Sequence, residues 1–199
     1  MTNETYKQLS EIYKNKSAWL EQLDFVALCL KNENEKVQAK AIWILGETGL
    51  IHGSAVEPYI PTIAAFLESE NALLRERAIN AIGRIGRNDI ELIKPHFENL
   101  FLYAADSSEK VRIAFIWACE NIATNFPGAF ESKMNIFRSL LDDESNRVRI
   151  EAPEILRVLG KRKPEYVKPY LSKLQELTEK DTERVVRIHA AGAIKACNQ

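Results

Sequence analysis

Two tryptophans, Trp43 and Trp117, and five polar side chains at matching helical positions, Arg77, Asn80, Arg84, Asn121 and Glu154, are the residues of this chain best suited to grip another molecule. Large aromatics and arginines dominate interface energetics because they bury much apolar area while keeping a polar handle. Counted from Val37, the residues opposite the apolar arc of one helix are Lys40, Trp43 and Glu47. The equivalents are Arg77, Asn80 and Arg84, then Ala114, Trp117 and Asn121, then Glu151, Glu154 and Val158, then His189, Gly192 and Ala196. The chemistry on offer is recognition of a peptide or protein segment lying across the indoles, with Arg77, Asn80, Arg84, Asn121 and Glu154 supplying polar contacts. The competing reading is that each indole packs on adjacent helices and covers alanine-rich surface.

Other chemistry finds little support. His52, His96 and His189 lie far apart with no partner at i+4, so no metal site is expected. Cys29, Cys119 and Cys197 are odd in number and have no C-x-x-C spacing, which argues against a disulfide framework and for a reducing compartment. No phosphate-binding glycine loop, nucleophile elbow or H-E-x-x-H segment occurs, so neither catalytic residues nor a cofactor are expected. Asp142, Asp143 and Glu144 precede a helix, where negative charge favours the N-terminus. The net charge is -1, from 27 basic and 28 acidic residues, and glutamates interrupt the basic positions of the open arc. Phosphate tracking needs several uncompensated cations, so nucleic acid is not the expected partner. The N-terminus carries no apolar leader, and no run approaches the ~18 apolar residues of a membrane span. A cytoplasmic protein without membrane contact is the expectation.

The elements that position these residues follow from one period. Val37, Leu74, Val111 and Val148 stand in steps of 37 residues, and so do Trp43, Asn80, Trp117 and Glu154. A fixed period of this size means stacked supersecondary units. Each unit reads as a helix A, a polar turn and a helix B, at 17–31/34–50, 55–68/71–87, 89–105/108–125, 128–142/145–161 and 164–179/182–197. Residues 1–16 read as an N-terminal capping helix, and 17–199 as one continuous array. Core spacings of 4, 7, 8 and 11 from Val37 place Ala41, Ile44, Leu45 and Thr48 on one arc. Cys119 falls in such a column and is expected to be inert. Pro58, Pro95 and Pro169 share a column in helix A, where a proline bends or restarts the helix. Gly49, Gly86 and Gly160 recur at the ends of helix B, where a left-handed residue closes a helix. Pro153, inside the fourth helix B, predicts a bend, and the last repeat fits with one extra residue in its turn.

The B-helix pattern, an aspartate followed by Val-Arg and then spaced alanines, resembles HEAT repeats. Asp106 with Val111-Arg112, Asp143 with Val148-Arg149, and Asp181 with Val186-Arg187 carry the resemblance. It implies an all-α fold, a right-handed α-α superhelix or α-solenoid of five helical hairpins, in which Asp106, Arg112, Asp143, Arg149, Asp181 and Arg187 form a structural ladder between successive repeats. Asn32 with Gln38, and Ser69 with Arg75, depart from it, so the ladder is expected to be weaker at the N-terminal end. The function implied is a non-catalytic scaffold or adaptor that binds a protein or peptide on a concave B-helix face. The alternative from the same family is an enzyme acting in the concavity, such as a glycosylase for alkylated DNA bases or a bilin-lyase-like protein. A positive groove beside Trp117 would favour the enzyme, and mixed charge the scaffold. The chain ends on the fifth helix B without a polar cap, so Val185, Ile188 and Ile194 are expected to be partly exposed, with a homodimer through repeat five as one consequence.

Overall fold

A computed structural model describes residues 2–198, and the outermost positions of the expected cap and array, Met1 and Gln199, lie outside the described residues. All regular structure among the described residues is helical. The second helices of the five repeats are Glu35–Ile51, Ala72–Asn88, Glu109–Asn125, Asn146–Gly160 and Arg184–Cys197, and the N-terminal helix is Thr2–Lys14. Contacts divide the chain into two compact units, Met1–Asn99 and Leu100–Gln199. The fold is an all-α solenoid.

The first helices are broken where the proline column foretells it. In repeat two, Gly53–Val56 gives way to a 3-10 turn over Glu57–Tyr59, which contains Pro58, and the α-helix restarts at Ile60–Ala65. Pro169 sits in the equivalent turn Lys168–Tyr170 of repeat five. A proline there lacks the N–H that an unbroken helix would use, so the break removes a conflict already present in the sequence. Repeat one is also broken, without a proline, between the 3-10 turn Lys16–Ala18 and the α-helix Leu23–Leu28. The second helix of repeat four runs unbroken through Pro153, which is buried.

Each second helix is preceded by the same small turn. The backbone N–H of Asn34, Asn71, Ser108, Ser145 and Glu183 donates to the side chain two residues earlier, on Asn32, Ser69, Asp106, Asp143 and Asp181. Asn and Ser satisfy this hydrogen bond as Asp does, so the turn survives in repeats one and two. The arginine six residues after the turn residue ties it down. Arg75, Arg112, Arg149 and Arg187 donate to the carbonyls of Ser69, Asp106, Asp143 and Asp181. In the second unit Arg112 and Arg149 also reach forward. Arg112 grips both carboxylate oxygens of Asp143 at 2.8 Å, and Arg149 Nε donates to Asp181 at 3.0 Å.

The recurring glycines act differently from expectation. No described residue has a positive φ, so Gly49, Gly86 and Gly160 do not close their helices in the left-handed conformation. All three are buried helical residues, and Gly49 and Gly160 let neighbours come close. A Cβ on Gly49 would fall 2.5 Å from Ile85 Cγ1 and 2.8 Å from Val56 Cγ2, and one on Gly160 would fall 2.6 Å from Cys197 Sγ. Gly49→Ala therefore loses about 1–3 kcal/mol to overpacking and regains up to about 1 from helix propensity. A lower urea midpoint is the expected result, and an unchanged or higher one would refute this account of the glycine.

The core of the second unit is aromatic at its centre. Phe101, Phe115, Phe130 and Phe137 meet at centroid distances of 5.7–6.4 Å. In the first unit the buried Trp19 donates its indole N–H to Ile12 O at 3.0 Å and stacks on Tyr13, which fixes the N-terminal helix against repeat one.

Candidate functional site

In the first unit, Trp43 is half-buried, and its ring is covered by two guanidiniums, Arg84 at 4.1 Å and Arg77 at 4.9 Å from the centroid. Cation–π attraction of this kind strengthens as water is excluded. Arg84 is also paired with Glu47 at 2.7 Å and donates to Asn80 O. Burial pulls its proton affinity down, while Glu47 opposes the shift. Arg77 has Glu76 at 3.5 Å. Beside them the Lys40 ammonium lies 4.2 Å from the Tyr13 centroid, and a cleft of about 360 Å³ opens between the N-terminal helix and the second helix of repeat one. Asn80 is placed differently from the open-arc expectation: it is only 3% exposed, and its amide donates to Glu76 O.

In the second unit, Trp117 stands out at 42% exposed. Its indole N–H donates to Glu151 at 3.0 Å, and Asn121 donates to Trp117 O. Glu154 receives Arg157 Nε at 2.7 Å and lies 3.6 Å from His189 Nδ1, which contacts Ile150 O at 2.7 Å. Glu120 sits among these groups with a buried Oε1 that has no hydrogen-bond partner. Burial, then Glu154 and Glu151, push its carboxyl up to about 8, with Arg157 pulling the other way. The sequence held a signal for this residue. Gly46, Gly83, Glu120 and Arg157 occupy one column of the period. A Cβ on Gly46 would fall 2.7 Å from Ala81 Cα, so the column lies where helices touch. Repeat three places an acid at that close-packed position.

Thus Trp43, Arg77 and Arg84 are brought together, as are Trp117, Asn121, Glu151 and Glu154, while Asn80 lies beneath the surface. Cys29, Cys119 and Cys197 are buried free thiols, and burial raises the Cys119 thiol well above its ordinary value. Val185 and Ile188 are 41% and 55% exposed, and Ile194 is half-buried. Among the described residues no helix is long and apolar enough to cross a membrane.

The sequence pattern of HEAT repeats matches residues 23–97 and 97–195. No curated protein matches the chain. Among solved structures, an engineered protein aligns with a TM-score of 0.76 at 22% identity, covering 98% of this chain and 91% of its own. A designed armadillo repeat protein in complex with the peptide (KR)4 aligns with a TM-score of 0.68 at 21% identity, covering 97% and 91%. A computationally designed armadillo repeat protein for modular peptide recognition gives 0.62 at 19% identity, covering 97% and 98%. At these identities the likeness is one of fold.

Proposed function

The chain belongs to the HEAT-repeat family, and from that premise we propose that it is a non-catalytic scaffold that binds a protein or peptide segment on the face of its second helices. The observation that carries this reading is Trp117. A 42% exposed indole, steered by Glu151 and surrounded by charged groups, is a poor use of apolar area in a free protein and a good anchor for a partner. Two structural neighbours are described as bound to a peptide or built for peptide recognition, which agrees with this use of the fold. The charge beside Trp117 comes from Glu151, with the Glu154–Arg157 pair on the same neighbouring helix. That setting repels duplex phosphate, and it favours the scaffold over base excision. Three buried, unbridged thiols fit a cytoplasmic setting.

A random-peptide display library selected on the full chain tests the proposal. Enriched peptides are expected to bind the Trp117→Ala variant about tenfold or more weakly. Failure to enrich any sequence, or equal affinity for the variant, would refute it.

A further inference from the structure

The cleft of the first unit is lined by Tyr6, Tyr13 and Trp43 and by three cations, Lys36, Lys40 and Arg77, with no carboxylate among the described residues of its wall. Lys40 is the telling residue. It is half-buried, its ammonium faces the Tyr13 ring at 4.2 Å, and among the described residues no acid pairs with it. Burial, then Arg77 and Lys14, lower its proton affinity. A partly desolvated ammonium between like charges is unfavourable in the free protein, and an incoming anion relieves it. The neighbouring cations are already compensated to different degrees. Arg84 is held by Glu47 at 2.7 Å, and Arg77 has Glu76 at 3.5 Å. That leaves Lys36 and Lys40 as the open charges, too few for a phosphate track and enough for one or two carboxylates. The partly exposed Tyr6 and the edge of Trp43 offer apolar faces beside them.

We propose that this cleft receives an acidic side chain of a peptide segment, its carboxylate on the Lys40 ammonium and its flanking residues against Tyr6 and Trp43. The inference rests on the peptide-binding reading above and specifies its partner chemistry in the first unit.

The test is fluorescence anisotropy of the full chain with labelled, end-blocked octaglutamate, with octaglutamine and octathymidylate as comparison probes. Octaglutamate is expected to bind and octaglutamine not. The affinity should fall about thirtyfold in Lys40→Met, which keeps the apolar stem, and less in Lys36→Gln, whose side chain is exposed. Added salt should weaken binding. Octaglutamate binding no better than octaglutamine, or unchanged binding by a folded Lys40→Met, would overturn the proposal. So would tighter, Lys40-dependent binding of octathymidylate, which would mark the cleft as a nucleic-acid site. If octaglutamate fails while displayed peptides still depend on Trp117, only this inference falls. If no peptide is enriched either, the reading beneath it falls as well.

Discussion

Arg112→Ala is expected to lower the unfolding free energy by about 3–5 kcal/mol, the range for removing one partner of a buried ion pair. Arg112 is 7% exposed, and its guanidinium makes two 2.8 Å bonds to Asp143 and a third to Asp106 O. The Asp143 side chain is itself only 9% exposed. Truncation therefore leaves a desolvated carboxylate with only the Ser145 N–H, and it frees the turn that starts the second helix of repeat three. Lysine is a poor substitute, because a single ammonium cannot reproduce the fork. Arg149→Ala should lose less, since its side chain is 19% exposed and reaches Asp181 through one bond. Urea denaturation of the three proteins checks the order. A loss below about 1 kcal/mol for Arg112→Ala, the size typical of an exposed pair, would show that the ladder is ornamental.

The second large effect is a pH dependence set by Glu120. Its carboxyl is raised to about 8, so between its ordinary range and that value the folded chain holds a proton that the unfolded chain releases. Stability must then fall as pH rises through this window and level off above it. Each tenfold difference in proton affinity between the folded and unfolded chains is worth about 1.4 kcal/mol, so the change across the window is of the order of a few kcal/mol. It is reduced to the extent that Arg157 or entering water relaxes around the ionised form. Glu120→Gln keeps the shape and removes the titration. Its urea midpoint should sit near that of the parent at pH 5 and well above it near pH 9. Parallel stability profiles would show that Glu120 is ionised at neutral pH in a wetter setting than the packing indicates.

Both effects bear on function, because Glu120 and Arg112 belong to the helix that presents Trp117. An acid in a close-packed column, with an unpartnered oxygen, is a local conflict in an otherwise consistent sequence, and such conflicts gather at sites used for something other than stability. The contrast between the units is chemical. Around Trp43 the guanidiniums of Arg77 and Arg84 cover the ring, whereas Trp117 donates its N–H to the Glu151 carboxylate and its ring stays open.

The period of 37 residues, the helical hairpins, the breaks at Pro58 and Pro169 and the buried columns were all legible from residue order. They depend on spacing along one helix and on backbone chemistry that each residue carries with it. The residues that packing redefined were Asn80, the recurring glycines, Trp43 and Glu120. A helical arc says which way a side chain points, but not how near the next helix comes. Gly46, packed against Ala81, and Gly49, packed against Ile85, show axes too close for even one extra carbon, and at that separation positions read as open become covered. Residue order thus determined the repeating architecture. The separation between helices decided which polar groups lost their water, and with it where charge is unfavourable and where a partner can be held.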